Sequence, residues 1–246
     1  MELPVYFISD LHLMLTPSER EARKLRKLSR FFQEVQNTGG TLFLVGDIFD
    51  FYFEYYDTIP KTYFRIFNWL YTLKNNGIEI HYVLGNHDYW VKEFVTETIT
   101  TKTYFDDTQF ELVGKQFYLT HGDGVLSWDR GYRLLKYIIR SRWCIWGFRW
   151  LHPRLGYRFA RWISDRGHHY THTEEYNQMV FQELKTFAER LTAQGSDYVI
   201  SGHYHQANMA AVNGGTLLVL GDWINYFSYG YFDGDELQLK FWERDE

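Results

Sequence analysis

Seven side chains able to bind divalent metal ions stand just after short apolar runs. Asp10 and His12 follow Val5-Tyr6-Phe7-Ile8, and Asp47 follows Thr41 to Val45 as part of Gly46-Asp47. Asn86 follows Ile78 to Leu84 in Gly85-Asn86-His87-Asp88, and His121 follows Phe117 to Thr120. His203 and His205 follow Tyr198 to Ser201 in Gly202-His203-Tyr204-His205. A few carboxylates and imidazoles suffice for one divalent ion. Seven donors with one shared acid suit two ions about 3.5–4 Å apart, an arrangement that clamps the attacking and leaving oxygens of a displacement. Asp47 is the natural shared acid, because each of its oxygens can reach one ion. An oxygen and nitrogen donor set without thiolate favours manganese, iron or zinc over copper.

These groups must converge from distant stretches, and strands are the elements able to do that. In a layered α/β protein the carboxyl ends of strands lie side by side and form the crevice where ligands bind. The five runs are the expected strands, with helical patterns between them. Thr16, Pro17 and Glu19 predict an N-cap, a first-turn proline and a capping-box acid. Leu25, Leu28, Phe31, Phe32 and Val35 then recur at helical spacing up to Gly39-Gly40. Tyr176, Val180, Leu184, Phe187 and Leu191 form a second such face. Alternation of this kind implies a sheet covered by helices. From Asn208 to Trp242, short β-rich runs broken by Asn213-Gly214-Gly215 and Asp233-Gly234-Asp235 predict hairpins and a second, largely antiparallel sheet.

The chain has 246 residues, with 26 Lys and Arg against 31 Asp and Glu, so a nucleic-acid polycation is excluded. Its hydrophobic fraction of 45 %, with 20 Phe, 20 Tyr and 9 Trp, excludes general disorder and supplies a large core. The single cysteine, Cys144, excludes an intrachain disulfide and a thiolate-rich zinc or iron–sulfur site, which fits a reducing compartment. No run approaches the 18 apolar residues of a membrane span, and the first residues lack a secretory leader pattern. A cytoplasmic protein is expected, with peripheral contact at the inner face of the inner membrane open to it.

One segment departs from this composition. Leu126 to Tyr170 carries nine arginines and Lys136 against Asp129 and Asp165, a net +8 in a chain of −5, together with five of the nine tryptophans. Such asymmetry predicts a helical insertion, about 126–170, facing an anionic partner. The rest of the chain, with four prolines and no repeat, reads as one domain over 1–246.

Taken in order, Asp10-x-His12, Gly46-Asp47, Gly85-Asn86-His87-Asp88, His121 and Gly202-His203-x-His205 resemble the calcineurin-like metallophosphoesterase superfamily. The resemblance covers residues 4 to about 225. It implies an α/β (α+β) fold, a two-sheet β-sandwich flanked by helices, here with the insertion as a lid. It also implies one ion on Asp10, His12, Asp47 and His205, and a second on Asp47, Asn86, His121 and His203, with Mn²⁺ the expected metal. Within the superfamily, Gly46-Asp47-Ile48-Phe49-Asp50, His121-Gly122-Asp123, Asp129 with Tyr132, and the basic aromatic insertion are similar to the UDP-2,3-diacylglucosamine hydrolases of lipid A synthesis. That similarity implies hydrolysis of a nucleotide-sugar lipid to UMP and a lipid 1-phosphate. It makes Asn86, His87, Asp129 and Tyr132 substrate-binding residues, with Asn86 and His87 catalytic. His87 stands where the proteobacterial enzymes characteristically carry arginine, so another phosphodiester or a nucleotide is the alternative substrate.

The remaining expectations concern neighbours of the ligands. His87 can sit over the phosphorus and donate a proton to the leaving oxygen or the phosphoryl group, as its ordinary pKa near neutrality allows. Asp88 is expected to orient His87 or a ligand, and Asp50 and Asp123 to act similarly. Arg130, Arg133, Arg140, Arg142, Arg149, Arg154, Arg158, Arg161 and Arg166 with Trp143, Trp146, Trp150 and Trp162 suit the phosphates and acyl chains of an anionic lipid. Neither a nucleic acid nor a protein partner is expected. Cys144 reads as buried packing, His168, His169 and His172 as a polar helix boundary, and Tyr52, Tyr55 and Tyr56 as residues under a neighbouring loop.

Overall fold

In the computed structural model, residues 1–167 and 173–242 are described, with only the backbone of 162–167; His168, His169 and His172 lie outside the described residues. Strand β1 (Val5–Ile8) leads to helix α1 (Glu19–Thr38), β2 (Thr41–Val45), α2 (Phe64–Asn75) and β3 (Glu79–Val83). A π-helical turn at Phe94–Ile99 precedes β4 (Lys102–Tyr104), β5 (Thr108–Leu112) and β6 (Lys115–Thr120). Helices α3 (Arg130–Ile139), α4 (Arg142–Trp150) and α5 (Pro153–Gly167) occupy the basic segment, and α6 (Glu174–Thr192) follows. The chain then adds β7 (Tyr198–Ser201), β8 (Ala207–Val212), β9 (Gly215–Leu220), β10 (Ser228–Phe232) and β11 (Leu237–Phe241). None of the described helices is long and apolar enough to cross a membrane.

Two mixed sheets stack face to face, one ordered β11-β10-β1-β2-β3-β4 and the other β5-β6-β7-β9-β8. Strands β1 to β4 run parallel, as do β6, β7 and β9. Side chains alternate across each strand. Val5 and Phe7 of β1 therefore meet Phe43 and Val45 of β2 and Phe117, Leu119, Leu218 and Leu220 of the other sheet between the layers. Tyr6 and Ile8 point the other way, onto Leu28, Phe31 and Val35 of α1 and Phe67 and Leu70 of α2. On the outer face of the second sheet, Val180, Leu184 and Ala188 of α6 pack on Val199, Leu217 and Val219. Burial on both faces is why these strands read as continuous apolar runs rather than alternating ones.

Two expectations are corrected here. Helix α1 starts at Glu19 and not at Thr16, because Ser18 is the residue whose hydroxyl accepts the backbone N–H of Glu21 (3.1 Å). The carboxylate of Glu21 in turn accepts the N–H of Met14 (3.1 Å), so the cap also fixes the incoming loop. The C-terminal strands form no sheet of their own. Hairpin β8–β9, turned at Asn213-Gly214, extends the second sheet by pairing β9 in parallel with β7, while β10–β11 extends the first through antiparallel pairing of β10 with β1.

Candidate active site

The carboxyl ends of β1, β2, β3, β6 and β7 point to one edge of the sandwich, and each delivers the polar residues that follow it. The backbone there is unlike ordinary strand or helix. Asp10, His12, Asp47, His203 and His205 all have positive φ, between 39° and 73°, and make up five of the eight such non-glycine residues described. Each position costs roughly 1–3 kcal/mol, strain of a kind that clusters at functional sites. Cross-strand bonds hold the turns in that shape: Asp10 N donates to Gly46 O (3.1 Å) and His12 N to Asp47 O (3.0 Å). Two glycines are required by close approach. A Cβ at Gly46 would lie 2.2 Å from His121 Nδ1, and one at Gly85 would lie 2.1 Å from Asp47 Oδ1.

All seven predicted ligands come together. Three groups of donor atoms lie within 4.8 Å of one another: Asp10, His12 and His205; His12, Asp47 and His87; and Asp47, His121 and His203. Asp47 belongs to two of them. Its Oδ2 lies 3.2 Å from His121 Nε2 and 3.7 Å from His12 Nε2, while Asn86 Oδ1 lies 3.2 Å from His121 Nε2. Asp10 and Asp47 are buried, yet Asp10 Oδ1 and both ring nitrogens of His12 have no hydrogen-bond partner. Orphaned buried donors and acceptors of this kind are expensive unless something else satisfies them. A pair of divalent cations fits both the donor set and the orphaned atoms.

Two of the ligand imidazoles are aimed by a bond at the other nitrogen. His121 Nδ1 meets Val45 O (3.0 Å) and His205 Nδ1 meets Asp222 Oδ2 (3.0 Å), which turns each Nε2 toward the centre. Burial works against charge on His121, but Asp47 outweighs it and raises the imidazole to about 10. Burial would likewise raise Asp47, and His121, His87 and His12 instead hold it well below the usual carboxylate range. His203 goes the other way, to about 4, through burial and the neighbouring His121 charge.

The residues beside the ligands divide into three kinds. His87 is partly open; its Nδ1 bonds the Asp50 carbonyl, and its Nε2 lies 3.9 Å from Asp47 Oδ2. Asp88, expected to orient His87 or a ligand, acts on ligand-bearing turns. It accepts from the Tyr82 hydroxyl and from the N–H groups of Ile48 (2.7 Å) and Gly85 (2.9 Å), so one carboxylate pins the turns carrying Asp47 and Asn86. Burial, with the Asp47 charge beside it, raises Asp88 to about 6. Asp123 ties the insertion to the core by accepting from Tyr132 Oη (3.0 Å), Lys136 Nζ (2.8 Å) and Arg140 Nη2 (3.2 Å). Asp129 caps α3 through Oδ1, accepting the N–H of Tyr132 (3.2 Å).

The insertion places an apolar cavity beside the centre. Its volume is about 470 Å³; Leu135, Ile139, Ile145, Phe148 and Phe159 line it, Tyr132 is on its wall, and Asn86 and His87 lie at its polar end. Trp90 Nε1 donates to Ile139 O (3.1 Å) and Tyr157 Oη to Phe53 O (2.6 Å), so α3 and α5 are bonded to the core around it. Two of the arginines expected to suit an anionic lipid are engaged within the protein. Arg140 packs over the Tyr89 ring (4.0 Å), and Arg133 donates to the carbonyls of Leu126 and Ser127. Cys144 is exposed rather than packed, because α4 turns that side toward the cavity. Tyr52 and Tyr55 are buried as expected, but Tyr56 is 74 % exposed.

Asp222 escaped the sequence reading although it aims a predicted ligand. The signal was present: Gly221-Asp222 ends the apolar strand β9 in the same way that Gly46-Asp47 ends β2.

Known proteins extend this picture. The profile of the calcineurin-like phosphoesterase family matches residues 3–207. A Porphyromonas gingivalis protein named UDP-2,3-diacylglucosamine hydrolase is 29 % identical, with 98 % of each chain covered. Proteins of the same name from Neisseria meningitidis serogroup B and Aeromonas salmonicida are each 27 % identical. The former alignment covers 94 % of this chain and 95 % of its relative, the latter 88 % and 85 %. Strand-end carboxylates and imidazoles with unmet valence suit a metal-dependent phosphoester hydrolase that uses divalent ions, and with the profile match across most of its length the chain belongs to the calcineurin-like phosphoesterase family.

Proposed function

We propose that this protein hydrolyses the pyrophosphate of UDP-2,3-diacylglucosamine, with water adding to the α-phosphorus to release UMP and 2,3-diacylglucosamine 1-phosphate. The observation that carries the reading is the apolar cavity ending at Asn86 and His87, which gives acyl chains a dry place next to a phosphate-handling centre. Relatives bearing that substrate in their names, aligned over nearly the whole chain, support it.

Asp10, His12, Asp47 and His205 would hold one ion and Asp47, Asn86, His121 and His203 the other, with Mn²⁺ as the metal. When bound, the two ions acidify water near neutral pH and set positive charge against the phosphoryl oxygens. His87 acts from this chain's side. Its Nδ1 is engaged by the Asp50 carbonyl, which leaves Nε2 to meet a phosphoryl or leaving oxygen. Burial opposes charge on His87, but Asp47 and the Asp50 carbonyl outweigh it and raise its pKa, so a proton is available for donation. Tyr132 on the cavity wall contacts the substrate, Asn86 contributes its amide, and Asp129 would reach a sugar group through the carboxylate oxygen not used in its cap.

The three-helix insertion serves as a lid within a single domain. Trp143, Trp146 and Trp150 on its outer side are 81 %, 59 % and 76 % exposed, and with Arg142 and Arg154 nearby they suit peripheral contact with an anionic inner-membrane surface. The test is release of UMP from UDP-2,3-diacylglucosamine by the Mn²⁺-loaded protein. Cleavage of a generic phosphodiester without UMP release from the lipid would reject the substrate.

A further inference from the structure

The proposed substrate has two unlike halves, and the apolar cavity suits only one of them. A second cavity, of about 740 Å³, shares no lining residue with the first and reaches the centre at His12. The rings of His12 and His87 lie 4.9 Å apart, so the two cavities meet the cluster at adjacent imidazoles. The second one is lined by Arg20 and Arg23 of α1 and by Asn225, Tyr226 and Phe227 of the loop after β9. Its character is basic, amide-bearing and aromatic.

The wall is tied to the metal-ligand cluster. Asp222 accepts the N–H groups of Ile224 (2.9 Å), Asn225 (2.6 Å) and Tyr226 (3.1 Å) through one oxygen, and holds His205 Nδ1 through the other. One carboxylate thus sets both a predicted ligand and the backbone of the cavity wall. Arg20 Nη2 spans to Asn225 Oδ1 (3.1 Å), joining α1 to that loop. Lys24 is committed to structure: its ammonium donates to the carbonyls of Leu11 (2.7 Å) and His12 (2.8 Å) and pairs with Glu21. The charge at the mouth is therefore that of Arg20 and Arg23, both exposed, and Tyr226 is 43 % exposed.

We propose that this cavity receives the nucleoside half of the substrate, with the 5′-phosphate at the His12 end, the base against Tyr226 and the ribose near Arg23. The inference rests on the nucleotide-lipid reading above. In a displacement at the α-phosphorus the lipid phosphate departs opposite the incoming water, whereas the nucleoside stays on phosphorus and needs a compartment off that line. An aromatic face, an arginine and an amide are what a base and a ribose phosphate recognise; the apolar cavity has aromatic rings and Asn86 but no arginine among its lining residues, whereas the second cavity has all three.

Isothermal titration of UMP, ribose 5-phosphate and orthophosphate into the Mn²⁺-loaded full chain tests this. UMP should bind at least about tenfold more tightly than ribose 5-phosphate, because the base supplies the difference. Tyr226→Ala and Arg23→Ala, at exposed positions and with metal content verified by elemental analysis, should each weaken UMP about fivefold or more. Orthophosphate affinity should stay within about twofold, since it reports the centre alone. Equal binding of UMP and ribose 5-phosphate by the unaltered protein would overturn the proposal without any variant. So would unchanged UMP affinity in both variants, or an equal loss for orthophosphate. If UMP behaves as expected while UDP-2,3-diacylglucosamine is not cleaved, the lipid assignment fails and the nucleoside cavity stands.

Discussion

Asp47 Oδ2 lies 3.2 Å from His121 Nε2, while Oδ1 of the same carboxylate accepts the backbone N–H of His87 at 2.9 Å. One buried acid thereby links the ends of β2, β3 and β6. Its charge raises His121, and that charged imidazole in turn helps to keep Asp47 ionised.

Metal uptake must therefore release a proton. At pH 7.5 the metal-free His121, raised to about 10 by Asp47 against the effect of burial, is protonated, and an ion at Nε2 displaces that proton. Metal affinity should rise with pH up to about 10, with close to one proton released per His121-bound ion in titrations across buffers of different ionisation enthalpy. The same shift gives the metal-free protein stability that is fully present below the ordinary value of 6.5 and lost as pH climbs through about 10. Buffer-independent heats would refute the assignment.

His87→Ala should lower kcat by roughly 10²–10⁴, the usual contribution of a general acid, while leaving bound metal unchanged. Steady-state kinetics alongside elemental analysis checks both halves. Loss of an ion in this variant would mean that His87 is a ligand instead.

Ala160 is buried on the wall of the apolar cavity, so Ala160→Leu places extra atoms where acyl chains are assigned. KM for the long-chain substrate should rise about tenfold, with a smaller change for a short-chain analogue, because a misfit of a few methylene groups costs of that order. Equal effects on both analogues would detach the cavity from the acyl chains.

Replacing Trp143 and Trp150 together by serine removes two exposed indoles from the lid. Sedimentation with vesicles containing phosphatidylglycerol should show binding reduced severalfold, with cleavage of detergent-dispersed substrate retained. Undiminished sedimentation would move the membrane contact elsewhere.

The meeting of the seven donor residues was legible because strand ends share one edge, so Asp47 and His203 could be placed side by side though 156 residues separate their numbers. Where a strand finds its partner was not legible. Local pattern predicts the hairpins at Asn213 and Asp233, but whether each joins one sheet or the other depends on distant faces such as that of Phe232, which packs between the layers. Asp222 was hidden for a related reason: it aims His205 from a strand whose membership in the second sheet only the fold reveals. The arginines of the insertion all read alike as charge. Only the structure separates Arg140, spent on Asp123 and the Tyr89 ring, from those at the surface.

The shared carboxylate is tested most directly by an anomalous difference map from crystals of the Mn²⁺-loaded protein, compared with Asp47→Ala prepared identically. Two peaks about 3.5–4 Å apart on either side of the Asp47 carboxylate, reduced to at most one weak peak in the variant with UMP release at background, are the predicted result. A lone peak in the unaltered protein, or two peaks that persist with normal turnover after Asp47 is removed, would contradict it.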